Sequence, residues 1–220
     1  MPRLSFHRRI TESLAEIVDM IGLVSTAVAQ VTEALLSADV RLAEKVISQD
    51  DAIDDVYRRL ELGIHEMFAR QAPVAGDLRA LMATIRMIGD LERSGDLALN
   101  IATTVRRAYP LHLTPEVAGI VREMGDQAAL LLQGAADAVR DLEPEAGERL
   151  DLMDDAMDTL CREMFAHFAH QGAAADDVPL AMHMALITRY YERIADHAVS
   201  VAERVEWLVT GTAHESHVGL

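Results

Sequence analysis

The chain repeats itself at an offset of 100 residues without a gap. Asp51, Asp54 and Asp55 recur as Asp151, Asp154 and Asp155, and Glu92, Arg93 and Asp96 recur as Glu192, Arg193 and Asp196. Leu60, Phe68, Gln71, Asp77 and Met82 match Leu160, Phe168, Gln171, Asp177 and Met182. Residues 50–107 and 150–207 share 16 identities in 58 positions. A duplication this even restricts the fold to two copies of one supersecondary unit. What the copies share, beyond apolar core positions, is acids spaced i,i+4, and function is to be sought there.

The unit is helical. The chain is rich in Ala, Leu, Met, Glu and Arg, with 4% aromatic residues and few β-branched runs, a mix of good helix formers. Apolar residues recur at 4-3 spacing, which marks helices packed along one face. The first segment carries Ile10, Leu14, Ile17, Ile21, Val24, Val28, Val31 and Leu35, the second Ile53, Tyr57, Leu60, Ile64 and Met67, and the third Met87, Leu91, Ala98, Ile101 and Val105. The second copy repeats the pattern from Val117 to Leu142, Leu150 to Met164 and Ile187 to Val205. Breaks fall at Ala72-Pro73, Gln171-Gly172 and Pro144, and Thr114 before Pro115 reads as an N-cap with Pro at the first helical position. Short turns make neighbours antiparallel. The expected fold is all-α: six helices in two tandem antiparallel three-helix bundles, 1–108 and 114–210, followed by a disordered tail over 211–220.

Charge and cysteine usage exclude several roles. With 20 basic and 36 acidic residues the net charge is −16, which repels nucleic acid and anionic lipid and attracts cations or basic protein patches. The single Cys161 cannot form an intramolecular disulfide, as expected of a reducing cytoplasm, and it reads as an inert buried thiol between Leu160 and Met164. Glu12, Glu16 and Asp19 precede the apolar stretch Met20–Val31 where a secretory signal needs positive charge. No uncharged run reaches a membrane span, so the expectation is a cytoplasmic protein with no nucleic-acid partner and no direct membrane insertion.

With Leu150, Met157, Leu91, Ala98, Tyr191 and Ala198 at heptad position a, four acid pairs fall at b and f: Asp51/Asp55, Glu92/Asp96, Asp151/Asp155 and Glu192/Asp196. Those positions face away from the bundle core. Like charges four apart cost a few tenths of a kcal/mol per pair, a cost the fold does not need. A solvated charged face is one reading. The other is that the second and third helices of each copy bring their pairs to one level and offer an all-oxygen site for hard cations such as Mg²⁺, Ca²⁺, Mn²⁺ or iron.

The same residues carry a family resemblance. Asp90-Leu91-Glu92-Arg93-Ser94-Gly95-Asp96-Leu97-Ala98 and Tyr191-Glu192-Arg193-Ile194-Ala195-Asp196-His197-Ala198 resemble the duplicated signature of the PhoU family, as do Ala72–Arg79 and Val46–Asp54. The opening Phe6-His7-Arg8 and the run Met20–Val24 are similar to actinobacterial members. The resemblance spans roughly 5–209. It implies a negative regulator of the phosphate-starvation response and of phosphate uptake, an adaptor between the phosphate-specific ABC transporter, through its ATPase subunit, and a phosphate sensor histidine kinase. It also implies a multinuclear metal cluster, iron or zinc, on E(D)-x-x-x-D motifs that map onto Asp51/Asp55, Glu92/Asp96, Asp151/Asp155 and Glu192/Asp196. A homodimer is the expected assembly. Two departures stand out: Val178-Pro179 replace Leu78-Arg79, and Tyr190 and Ser200 replace Asp90 and Asn100, leaving the second site with fewer oxygen ligands nearby.

Two other classes compete. A ferritin-like di-iron protein uses Glu-x-x-His pairs pointing into the bundle, and this chain has no Glu-x-x-His and places its acids at b and f. A metal-dependent hydrolase of phosphate compounds wants a base or nucleophile with an oriented partner. The nearest candidate is His197 beside Asp196, which reads as a surface or interface histidine, so no enzyme is expected. Arg79, Arg86 and Arg93 recur at i,i+7,i+14. They form either a basic stripe or, as expected, pairs with nearby acids, and no Gly-rich loop or arginine cluster offers an anion cradle.

Overall fold

The structure, a computed structural model, describes residues 3–70, 73, 75–170 and 178–212. Among the described residues there are only helices: α1 (Arg3–Ser37), α2 (Val40–Gln49), α3 (Asp51–Arg70), α4 (Gly76–Arg107), α5 (Pro115–Asp141), α6 (Ala146–His170) and α7 (Val178–Thr210). The periodicity reading leaves 40–49 unassigned, and the structure makes it helical. Ala38 adopts a left-handed φ of 52° and ends α1. Asp39 then caps α2, its carboxylate accepting from the amides of Arg41 (2.9 Å) and Leu42 (3.1 Å). Between α2 and α3 only Asp50 intervenes, itself at helical φ −58° and ψ −38°. The two are therefore one interrupted rod, and the described residues form six rods.

Caps fall where residue chemistry asks for them. Thr114 accepts from the amide of Val117 at 3.3 Å with Pro115 in the first turn, and Leu142 closes α5 in the left-handed region. α3 ends at Arg70, ahead of Pro73, and Pro144 lies between α5 and α6. The break expected at Gln171-Gly172 and most of the expected disordered tail, from residue 213 onward, lie outside the described residues.

Each copy packs its three rods together: α1, α2–α3 and α4 in the first, α5, α6 and α7 in the second. The copies then join along two broad seams, α1 against α5 and α4 against α7, and one apolar core runs through both. The α1–α5 seam is tight enough to require glycine, since a Cβ on Gly125 would stand 2.5 Å from the Thr32 side chain. Polar links cross the seams as well: the Thr32 hydroxyl and the buried Tyr191 hydroxyl lie 2.7 Å apart, and Ser94 Oγ lies 3.0 Å from His197 Nδ1. His197 is thus an interface histidine, and burial holds its pKa down at about 4.

The three arginines of α4 do separate jobs. Arg79 donates to the Leu208 carbonyl at 3.2 Å, satisfying the C-terminal end of α7. Arg86 sits over the Trp207 ring at 6.0 Å from its centroid. Arg93 pairs with Asp90. Among the described residues α1 alone is long and apolar enough to cross a membrane, over Phe6–Ser37, yet Ile17, Met20, Ile21, Val24, Val28, Val31 and Leu35 are all buried in the core.

Candidate functional site

In the first copy the acids line the groove between the α2–α3 rod and α4. Glu92, on the middle of α4, has its carboxyl raised above the usual range, first by burial and then by the charges of Asp96, Asp54 and Asp50, with Arg93 opposing. Asp50, at the interruption of the rod, is raised by burial and by Asp54, Asp96 and Asp51. Four carboxylates therefore share one field: Asp50, Asp54, Glu92 and Asp96. Asp51 and Asp55 stand further out. Both are exposed, and Asp55 is held by Arg58 Nη1 at 2.7 Å while Nη2 of the same guanidinium holds Asp54 at 2.7 Å. Beside the interruption lies a cavity of about 470 Å³ lined by Leu23, Gln30, Val46, Asp50, Ile53 and Gly95, among others.

The second copy builds the same groove between α6 and α7 with different compensation. Asp154 is the extreme group. Its Oδ1 is buried without a hydrogen-bond partner, and its pKa is pushed up to about 7 by burial and then by Asp196, Asp158, Asp151 and Glu192. Asp196 is raised by burial and by Glu192, against Arg189. Arg189 pairs with Glu192. Asp151 and Asp155 are exposed. Cys161 borders the cluster, buried, its thiol pushed up to about 12 by burial and the charges of Glu192, Asp158 and Asp154. It is chemically quiet at neutral pH.

The structure thus brings the charges of Glu92 and Asp96, and of Glu192 and Asp196, together, and leaves Asp51, Asp55, Asp151 and Asp155 exposed, with Asp51 and Asp55 lining the cavity against α1. The residues missed by the b and f assignment are Asp54 and Asp154, at heptad position e. Their signal was available, because both recur in the duplication and e positions flank a helix–helix seam.

Both grooves are all-oxygen, the donor set hard cations prefer. Among the described residues no group of three or more Asp, Glu, His or Cys side chains converges tightly enough to hold an ion as it stands. The buried, unpartnered oxygen of Asp154 is surrounded by like charges, an electrostatic setting that favours a cation over none.

Comparison with known proteins places the whole chain. The PhoU domain model matches residues 17–105 and again 121–205. The phosphate-specific transport system accessory protein PhoU homolog 2 of Mycobacterium tuberculosis is 41% identical over 215 residues, 95% of this chain and 98% of the relative. PhoU homolog 1 of Mycobacterium leprae is 41% identical over 219 residues, covering 97% and 96%. The crystal structure of PhoU from Pseudomonas aeruginosa superposes with a TM-score of 0.85 at 28% identity, covering 94% of this chain and 100% of that one. The PhoU structure from Streptococcus pneumoniae shares the fold with a TM-score of 0.79 at 23% identity.

Proposed function

Because this chain belongs to the PhoU family, we propose that it is a cytoplasmic negative regulator of phosphate uptake and of the phosphate-starvation response. In this reading it links the ATPase subunit of the phosphate-specific ABC transporter to a phosphate sensor histidine kinase and holds the kinase quiet when phosphate is plentiful. The observation that carries it is the match of both repeats to relatives named as accessory proteins of phosphate-specific transport. The charge agrees with it. A surface at −16 works through cations and basic protein patches, steering and selecting partners by their field. We propose no enzymatic activity and expect a homodimer whose contact avoids the acidic grooves, to be checked by sedimentation equilibrium.

The grooves supply a second element of the proposal, a bound hard cation or multinuclear cluster, iron or zinc among the candidates. The residues that would hold it are Glu92 and Asp96 with Asp54, and Glu192 and Asp196 with Asp154, with the exposed Asp51, Asp55, Asp151 and Asp155 completing the set. A cation there would neutralise groups that burial now holds against their charged form, and so stiffen the outer rod against α4 or α7.

The test is deletion of the gene in a strain with no second copy. Phosphate-starvation genes should then be expressed in phosphate-rich medium, and full repression in that strain would end the regulatory reading. Elemental analysis of protein purified without added metal addresses the cation independently.

A further inference from the structure

The outer groove between α6 and α7 changes character along its length. At the distal end it is a cleft of about 340 Å³ lined by apolar side chains, among them Met164, Phe165, Phe168, Val178, Met182 and Ala185. Large apolar groups stand open to solvent there: Phe165 is 50% exposed, Met182 64%, and neighbouring Leu186 51%. Such a contiguous patch on a highly charged surface marks an interaction site. Moving toward the middle of the molecule, the same groove passes Cys161 and Arg189 and enters the acids Asp158, Glu192, Asp154 and Asp196, whose charges act on one another and on Cys161. From Met182 to Glu192 is ten residues of helix, or about 15 Å.

The first copy does not repeat this design. His65 stands where the second copy has Phe165, Glu61 for Cys161, Arg58 for Asp158 and Arg86 for Leu186. Arg86 is occupied by Trp207, and Met82, the counterpart of Met182, is partly buried.

We propose that the α6–α7 groove is the docking site for an amphipathic helix of a partner protein, one that places apolar anchors at one end against Phe165 and Met182 and basic residues about two turns along against Asp158. Helix-in-groove recognition joins an apolar stripe to a shaped cleft in this way, and the charge gradient fixes the direction of the bound helix. A second copy of this chain does not fit the acidic half, since each copy carries −16. An anionic membrane is repelled for the same reason. The inference rests on the proposal that the protein acts by binding partners, and it adds which surface and which partner chemistry.

The experiment measures binding of the full chain to the cytoplasmic part of the phosphate sensor kinase and to the transporter ATPase subunit by calorimetry. Met182→Asp with Leu186→Asp, both at exposed positions, should leave the melting temperature unchanged and weaken binding to at least one of them tenfold or more. Phe165→Ser is the second variant and should act in the same direction. Asp158→Asn should weaken binding about twofold and flatten its salt dependence. Leu62→Asp, at an equally exposed apolar residue of α3, should change nothing. Wild-type affinity in both groove variants would overturn this site while leaving the adaptor reading intact. Failure of the wild-type protein to bind either partner would remove the adaptor reading and this inference with it. Dissociation of a dimer by Met182→Asp/Leu186→Asp would assign the groove to a second copy, and loss of binding to phosphatidylglycerol vesicles would assign it to a membrane. Either result overturns the proposal.

Discussion

The two acidic grooves share a scaffold and differ in how their charge is compensated. In the first, Arg58 forks across Asp54 and Asp55 at 2.7 Å each, so Asp54, whose charge acts on Glu92, already has a cation beside it. In the second, position 158 is an aspartate, Arg189 engages Glu192 instead, and Asp154 is left with a buried oxygen that nothing satisfies. One change of sign at a duplicated position, Arg58 against Asp158, thus removes the partner that Asp54 has and Asp154 lacks. The sequence expectation of fewer oxygen ligands at the second site, where Tyr190 and Ser200 replace Asp90 and Asn100, counts oxygens. The structure draws attention to the local balance of charge.

The largest test of the duplication lies in the core. Tyr191 stands where the first copy has Leu91, both fully buried, and its hydroxyl reaches Thr32 across the seam between copies. Tyr191→Leu would make the copies alike, at the cost of an unfilled volume and a lost cross-seam hydrogen bond. Urea denaturation should show a loss of about 3 kcal/mol. A loss below about 1 kcal/mol would mean the second copy repacks around the smaller side chain and the asymmetry is ornamental.

Asp154→Asn examines the orphaned carboxylate directly. In the folded protein its pKa is about 7, against 3.8 for an unperturbed Asp. Between those values the folded state binds more protons than the unfolded one, so stability falls as pH rises, and the penalty is complete above pH 7. A shift of about three units corresponds to at most ~4 kcal/mol, and partial solvent access reduces it to about 2 kcal/mol. In metal-free protein, Asp154→Asn should therefore be stabilised by about 2 kcal/mol at pH 8 and hardly at all at pH 4. Asp54→Asn, which breaks the pair with Arg58, should gain nothing and lose up to about 1 kcal/mol. Equal behaviour of the two variants would erase the contrast between the grooves.

Why Asp54 and Asp154 escaped the heptad assignment is instructive. Heptad letters suppose that each helix buries one stripe against one seam. α4 and α7 each pack on two sides, against their own bundle and against the opposite copy. Their apolar arc is correspondingly wide: Leu91, Ser94, Gly95, Leu97 and Ala98 are all buried. Position b on α4 then lies at the edge of the contact with α3, which half-buries Glu92, and the residue across from it on α3 is at e. The duplication, the six rods, the Thr114 cap and the outward placement of the acids were legible because they depend on local pattern alone. The pairing of α4 with α7 depends on a contact between residues 103 apart, such as Ser94 with His197, and no local pattern announces it. Periodicity does not single out α2, because two buried residues, Ala43 and Val46, make too short a period, although Asp39 before Val40 is a usable cap signal.

A charge swap sharpens the comparison further. On the proposal that the grooves hold a hard cation, Asp158→Arg should give the second groove the compensation of the first and weaken Mn²⁺ binding there about tenfold, equivalent to about 1.4 kcal/mol. Arg58→Asp should strengthen binding in the first groove by a similar factor, since it frees Asp54 and Asp55 from their guanidinium. Calorimetric titration of the two variants reads both effects. No change in either would show that cation affinity is set by something other than the residue at this position.

The smallest effect concerns the ends of α4 and α7. Arg86 covers the ring of Trp207, whereas its counterpart Leu186 lies open at 51% exposure. Arg86→Leu places the second copy's residue in the first and removes a cation–π contact at a partly exposed site, so it should cost about 0.5 kcal/mol. The change is small for a stability measurement, but Trp207 is the single tryptophan of the chain, so the emission comes from its surroundings and no other ring's. Removing the guanidinium should shift that emission while the global melting transition moves by only a degree or two. Arg79→Ala, which deletes the donor to the Leu208 carbonyl, should fray the last turn of α7 and raise amide exchange there without touching the acidic grooves. Unchanged emission in Arg86→Leu would mean that the arginine does not cover the ring in solution, and the contrast between a covered Arg86 and an open Leu186 would go with it.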